Sequence, residues 1–503
     1  MSMHFSPITR MIFFLFLSAL FLVSASMLIA YSFGYRYSFE RGIFIYSGAI
    51  VLKTNPSQVS IALDGTPLER NKVSIINGSN QIDGLRPGRY RIDITAPGFQ
   101  TWSKSITVES GRASEFWNII LPRQEYTIET LPMQNVIGIY PSPEGRFLAI
   151  AQDNGTEMLV ILHDTQTQIN TQIFSSLTAT RHTTWQSNIE WSPDEKTLLI
   201  PTINRETISS SNLTALSSPD EVFLIDIATF ASQKVSDITQ TSPLRMLRWG
   251  PRSNTLYALS DTSLITFIPN REKTQWEQET LFTDILSYDF SSSDLYTMKT
   301  NGILYKSDRL GKNEEQITTT QTQYFTKDDS ISLIAYDKDR IAGRSETGIL
   351  WIWNQGEQEQ YTYALDENVQ GMQFSNDGKK LLYWTDLSIK TYFLREWDVQ
   401  PKREENSFLT VATFTSPLSN VAWTKQYEHI LYVSENTIKI TELDHRDRRM
   451  TQTLSPQLSE NALIRQIFLQ DEIFFTAPNE DKENVLQYIE FPEPATGFFG
   501  FGG

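Results

Sequence analysis

Five histidines, no cysteine and a surplus of carboxylates set the chemistry open to this chain of 503 residues. With 43 Lys and Arg against 59 Asp and Glu, the formal net charge is −16. The absence of cysteine removes disulfide scaffolds, thiolate zinc sites and thiol nucleophiles. His4, His163, His182, His429 and His445 stand singly, without the paired spacing of a metal site, so no metal site is expected. HExxH, GxSxG, GxxxxGK[ST] and EF-hand patterns are all missing, and no catalytic or cofactor-binding residue is expected. The acidic balance argues against nucleic acid, whose affinity rests on clustered cations. What remains for recognition is aromatic: Phe99 and Trp102, beside Pro97-Gly98, are ring faces suited to stacking on a wall polymer. The competing reading is that both rings fill a small core.

The elements that position such groups begin with an apolar run. Met11 to Tyr35 carries no charged residue, enough for a helix to cross about 30 Å of hydrocarbon. A cleaved signal peptide is the alternative, with small residues at Val23-Ser24-Ala25-Ser26, but the apolar stretch continues past them. Arg10 on one side and Arg36 and Arg41 on the other leave the charge rule undecided, while a long body after the helix translocates largely regardless of charge. The expectation is a cytoplasmic segment 1–10, a membrane helix 11–34 in the lipid bilayer, and a linker 35–49. The rest is expected outside the cytoplasmic membrane, single-pass. Without a lipobox cysteine, lipoprotein anchoring is excluded.

Residues 50–122 alternate in the manner of short strands. Val59–Leu63 runs into Asp64-Gly65, a hairpin signal because glycine accepts the positive φ of the turn. Leu85-Arg86-Pro87-Gly88 and Ala96-Pro97-Gly98-Phe99 are two further turns with proline setting φ. This order of strands and Pro-Gly turns resembles the PEGA domain of bacterial surface proteins, with the name-giving motif standing here as Ala96-Pro97-Gly98-Phe99. The resemblance implies a small β-sandwich without catalytic residues and a cell-envelope binding or spacer role.

An aromatic residue followed by a polar turn and an apolar strand then recurs eight times, at Tyr140, Trp191, Trp249, Phe290, Tyr336, Phe374, Trp423 and Phe468. The separations of 51, 58, 41, 46, 38, 49 and 45 residues are propeller-like, one four-stranded sheet per unit. The expected fold class is therefore all-β. An eight-bladed propeller over 123–491 is closed by an orphan strand at Glu125–Glu129, with seven blades as the alternative if the units at Phe290 and Tyr336 merge. Residues 492–503 are expected as a flexible tail. Thr207–Asp220 and Gln316–Thr326 read as loops, and His445-Arg446-Asp447-Arg448-Arg449 as a solvated basic hairpin turn.

Trp191-Ser-Pro-Asp-Glu-Lys and Phe374-Ser-Asn-Asp-Gly-Lys resemble the TolB-like, WD40-like repeats of bacterial envelope propellers. The tryptophan-docking repeats of quinoprotein dehydrogenases are absent, and no GxSxG of a propeller peptidase follows. The resulting expectation is a membrane-anchored, non-catalytic envelope scaffold whose partners are the bilayer and an envelope protein or cell-wall polymer. The alternative is an enzyme or sensor holding a small molecule in the propeller channel.

Overall fold

The computed structural model describes residues 7–38, 42–68, 72–73, 78–154, 157–176, 180–181, 189–204, 221–241, 243–251, 254–269, 276–319, 330–356, 361–455, 458, 462–467, 471–479 and 483–491. The expected loop Thr207–Asp220, most of Gln316–Thr326, the anchor Phe468 and the tail lie outside them. His4 and His182 do too.

A helix covers Pro7–Ser32, and its segment Met11–Ser32 is the one described helix long and apolar enough to cross a membrane. Those 22 residues span about 33 Å at 1.5 Å per residue. The helix stops at Gly34, which adopts φ +90° and donates its N–H back to Tyr31. The stretch expected as a linker carries a hairpin instead, Tyr35–Ser38 paired with Ile43–Tyr46. Directly opposed residues bring Tyr35 to Tyr46 and Tyr37 to Phe44, with ring centroids 4.7 and 5.3 Å apart. All four rings are exposed. The Ser47 N–H and hydroxyl both donate to the Gly34 carbonyl, tying the helix exit to the following strand.

Two four-stranded sheets then form a sandwich. One runs Ala113–Ile120, Gly48–Asn55, Asn80–Leu85, Lys72–Val73; the other runs Thr66–Pro67, Ser60–Leu63, Gly88–Thr95, Trp102–Val108. Strict alternation buries every second residue of Gly48–Asn55, so Ile50 and Leu52 meet Ile61, Ile92, Ile94, Ile106 and Phe116 between the sheets. Asp64 and Gly65 both take positive φ at the tip of the hairpin they were expected to form.

From Val136 onward the chain folds into successive antiparallel meanders, each a separate four-stranded sheet. Among the described residues eight such sheets follow one another. In the second, two short strands, Thr180–Arg181 and Glu190–Trp191, share the place of its first strand. Phe290 and Tyr336 stand in different sheets, the fourth and the fifth. Each pair of neighbours encloses one apolar cluster. Ala151, Val160 and Trp191 lie between the first and second sheets; Leu382, Val421 and Trp423 between the sixth and seventh; Val433, Ile438 and Phe475 between the seventh and eighth. The chain of clusters closes on itself, because Phe474 and Leu486 of the eighth sheet pack on Ile139, Leu148 and Ile150 of the first. This closed ring is a β-propeller.

The eighth sheet contains three strands from the end of the chain and Glu129–Gln134 at its outer edge, paired antiparallel with Asn484–Glu490. The closing strand therefore lies at 129–134, after the expected 125–129. Tyr126 is engaged elsewhere: its hydroxyl accepts the Arg123 N–H and its ring packs on the cluster between the seventh and eighth sheets.

The polar turns after Trp191 and Phe374 have a common cause. The Ser192 hydroxyl accepts the Thr197 N–H and donates to Asp194, and Ser375 does the same with Lys380 and Asp377. These Ser-x-Asp turns pin the first strand of a sheet to its second, leaving them structural rather than chemical.

Candidate functional site

Adjacent strands of each sheet run in opposite directions, so the turns after the first and third strands emerge on one rim of the ring. The sandwich sits on that rim over the seventh sheet, flanked by the sixth and eighth. Its edge strand Trp102–Val108 presents Lys104, which is fully buried, to Glu442 at the end of the third strand of the seventh sheet. The Lys104 ammonium lies 2.5 Å from Glu442 Oε1 and donates to the Asp444 carbonyl at 2.8 Å. Glu442 also accepts the Trp102 indole N–H at 3.1 Å and the Met450 N–H at 2.8 Å. Burial pushes the Glu442 carboxyl up, against the pull of Lys104 and its hydrogen bonds.

A second contact surrounds the first. Arg446 donates to the Glu115 carbonyl at 2.6 Å, lies 3.6 Å from the Phe116 ring centre and pairs with Asp444. The Gln400 side chain, in the turn after the third strand of the sixth sheet, donates to the Ala113 carbonyl and accepts the Glu115 N–H. It hydrogen-bonds the exposed edge of the sandwich as another strand would. Asp447 accepts the Ser105 N–H at 2.9 Å and pairs with the exposed Arg89. His429, buried between these groups, is pushed down to about 3, first by burial and then by Lys104.

Of the two residues expected to meet a ligand, Trp102 is 1% exposed, edge-on to Phe116, with its indole N–H on Glu442. Its ring has no free face, because the sandwich core and the propeller take both sides. Phe99 is half-buried against the sandwich core, with the Arg123 guanidinium 5.6 Å from its ring centre. The structure thus brings Trp102 into an interdomain clamp and leaves Phe99 outside it. The basic turn at 445–449 is solvated only in part: His445, Asp447 and Arg448 are exposed, yet Arg446 and Asp447 supply the partners that the polar edge of the sandwich requires.

The first strands of neighbouring sheets lie side by side at the inner edge of the ring, and three adjacent sheets place charge there. Arg248 lies 2.7 Å from Asp289 and 4.0 Å from Glu190. Glu190 accepts the Trp249 N–H, and Asp289 accepts the Ala335 N–H, each from the next sheet. Desolvation raises Glu190 to about 7, against the pull of Arg248. The set links blades and holds one titrating carboxyl, with the other carboxylate tied to Arg248. His163 is buried and bonded to Asn170, and among the described residues no cluster of three metal-ligating side chains occurs.

A separate cavity of about 260 Å³ opens on the same rim between the second and third sheets, lined by Trp249 and Trp276 among others. Nothing in the spacing of the repeats pointed to it, because Trp249 occupies an ordinary anchor position.

No protein-family model matches the chain, and no curated protein matches its sequence. The fold is similar to that of the C-terminal WD40 domain of Sif2, with TM-score 0.47 and 12% identity over 74% of this chain and 99% of that one. It is also similar to the Dos1 propeller, with TM-score 0.45 and 9% identity over 74% and 96%. A third similar structure is the Myceliophteria thermophila Cps50 (Swd1) β-propeller domain, with TM-score 0.41 and 12% identity over 72% and 99%.

Proposed function

We propose that this chain is a non-catalytic envelope scaffold, held in the cytoplasmic membrane by Met11–Ser32 and presenting an eight-bladed propeller on the outside. The PEGA-like sandwich is the spacer, and the propeller resembles the TolB-like envelope propellers. One observation carries the reading: the buried Lys104–Glu442 pair, with Trp102 donating to the same carboxylate, fixes the sandwich to the propeller. A fixed spacer holds one rim of the ring at a set height and angle, so a partner meets an oriented surface at high local concentration. The hairpin beside the helix supports the anchoring, because its four exposed rings suit the headgroup region where tyrosines concentrate. Cell-wall polymer or an envelope protein remains the partner class, with Phe99 rather than Trp102 offering the accessible ring on the sandwich.

The absence of native cysteine makes the test clean. Leu310→Cys, at a propeller position 60% exposed, should react with a membrane-impermeant maleimide in intact cells. Labelling only after lysis would overturn the topology. Full-length protein in detergent should then pellet with isolated wall material or capture an envelope protein; failure of both would leave the channel reading. That second reading has its own support in Glu190, a titrating carboxyl at the inner edge of the ring.

A further inference from the structure

The turns after the third strands of the sixth and seventh sheets hold the sandwich through Gln400 and Arg446. The same two turns carry a pair of arginines that the clamp does not use, Arg403 in the first and Arg449 in the second. Each reaches across to the other's sheet. Arg403 donates from Nη2 to His445 Nδ1 at 2.8 Å, and Arg449 donates from Nη1 to the carbonyl of Val411, in the outer strand of the sixth sheet, at 2.8 Å. Arg403 is fixed further, because its Nη1 donates to the Pro401 and Lys402 carbonyls and its backbone exchanges two hydrogen bonds with Trp397. All of these acceptors are neutral. A guanidinium held by carbonyls and an imidazole is oriented, yet its charge stays uncompensated.

In a chain of net charge −16, neither Arg403 nor Arg449 pairs with a carboxylate among the described residues. The carboxylates whose fields reach them are already matched: Asp444 by Arg446 at 2.6 Å, Glu442 by Lys104 at 2.5 Å, and Glu428 by Lys380. Glu404 and Glu405 follow Arg403 in sequence without pairing with it. Burial pushes both guanidiniums down from their usual value, and Arg449 and Arg446 push Arg403 further the same way. Because a guanidinium only donates, His445 Nδ1 must accept, which leaves the ring proton on Nε2. Desolvation, then Arg403 and Arg449, push His445 down and favour that neutral ring. Arg449 Nε is sealed from solvent, but Arg403 Nε and Arg449 Nη2 are neither sealed nor bonded within the chain, and His445 is exposed.

We propose that Arg403, Arg449 and His445 form an oxyanion site that takes a phosphate group. The anion supplies the counter-charge that two neighbouring, half-buried guanidiniums lack. Donors arriving from two turns suit a tetrahedral group with several acceptor oxygens, whereas a carboxylate offers two oxygens in one plane. The site goes beyond the scaffold reading: it names phosphate as the chemistry recognised on the sandwich-bearing rim, and it stands whether or not the helix anchors the chain.

The test uses the full-length protein in phosphatidylcholine nanodiscs and inorganic phosphate as the probe, with calorimetry and phosphorus NMR as readouts. Saturable binding is expected, with acetate at equal ionic strength about tenfold weaker. Arg449→Gln removes one charged donor, and a loss of about tenfold is expected. His445→Ala removes a neutral donor from an exposed side chain, with a loss of about threefold, and keeps the test valid if Arg449→Gln folds poorly. Lys196→Gln removes the same charge from a turn of the second sheet and should leave binding unchanged. Repeating the titration in nanodiscs containing phosphatidylglycerol separates the sources. Equal affinity assigns the site to a soluble or polymer-borne phosphate, and weaker affinity assigns it to headgroups of the host membrane. No saturable binding at millimolar phosphate, acetate bound as tightly, or affinity unchanged in both Arg449→Gln and His445→Ala would overturn the site.

Discussion

The rim of the ring has two places where the molecule treats the same geometry differently. Over the seventh sheet the rim is filled from within the chain: Trp102, Lys104 and Phe116 of the sandwich meet Glu442, Asp444 and Arg446. Nearly opposite on the ring, between the second and third sheets, the rim is left open as a cleft of about 260 Å³ beside Trp249 and Trp276. In the first place the Glu442 carboxylate collects the Lys104 ammonium, the Trp102 indole and the Met450 N–H; in the second no described segment of the chain fills the space. The filled place therefore serves stability and orientation. Mutations at the filled place should accordingly move unfolding.

The largest effect is expected at Lys104. Lys104→Met leaves Glu442 buried without its cation, a loss of about 3–5 kcal/mol read as a fall in the thermal midpoint. Adding Glu442→Leu should recover most of it, since an apolar pair of similar volume is often as good as a buried ion pair. Arg446→Ala removes a charged hydrogen bond to Glu115 and the cover over Phe116, and about 1.5–3 kcal/mol is expected by the same measurement.

Two titrations sharpen the contrast with opposite signs. His429 is held at about 3 in the fold against 6.5 in the unfolded chain, so the unfolded state takes up the proton first as pH falls. The wild type should lose stability from pH 6.5 downward toward 3, and His429→Gln should lose less. Glu472 is raised to about 7, first by burial and then by Glu490 directly opposite it in the eighth sheet. Its folded form keeps the proton longer, so stability falls as pH rises from 4.5 through 7. Glu472→Gln should stabilise by less than about 1 kcal/mol at pH 8 and not at pH 4.

Much of the architecture was legible because propeller strands repeat short rules. Phe147, Leu198, Leu256, Leu381 and Ile430 all fall in second strands, since β-branched and aromatic runs between polar turns admit little else. The closing strand was misplaced because Tyr126-Thr-Ile128 alternates as well as Glu129–Gln134 does, and a partner 350 residues away decides between them. The clamp was not read, yet it left a mark. In Trp102-Ser-Lys-Ser-Ile-Thr-Val, Lys104 shares parity with the buried Trp102 and Ile106, and in Thr437–Glu442, Glu442 shares parity with Ile438 and Ile440. A charge on the inward parity of a strand is a signal that a counter-charge lies across an interface. That the two charges answer each other is tertiary information, absent from either strand.

Calorimetry of the full chain in detergent tests the central claim, that sandwich and propeller are one rigid body locked through Lys104 and Glu442. The account predicts a single cooperative transition for the wild type, resolved into an earlier sandwich step and a later propeller step in Lys104→Met. Two separate transitions in the wild type, neither moved by Lys104→Met, would contradict it.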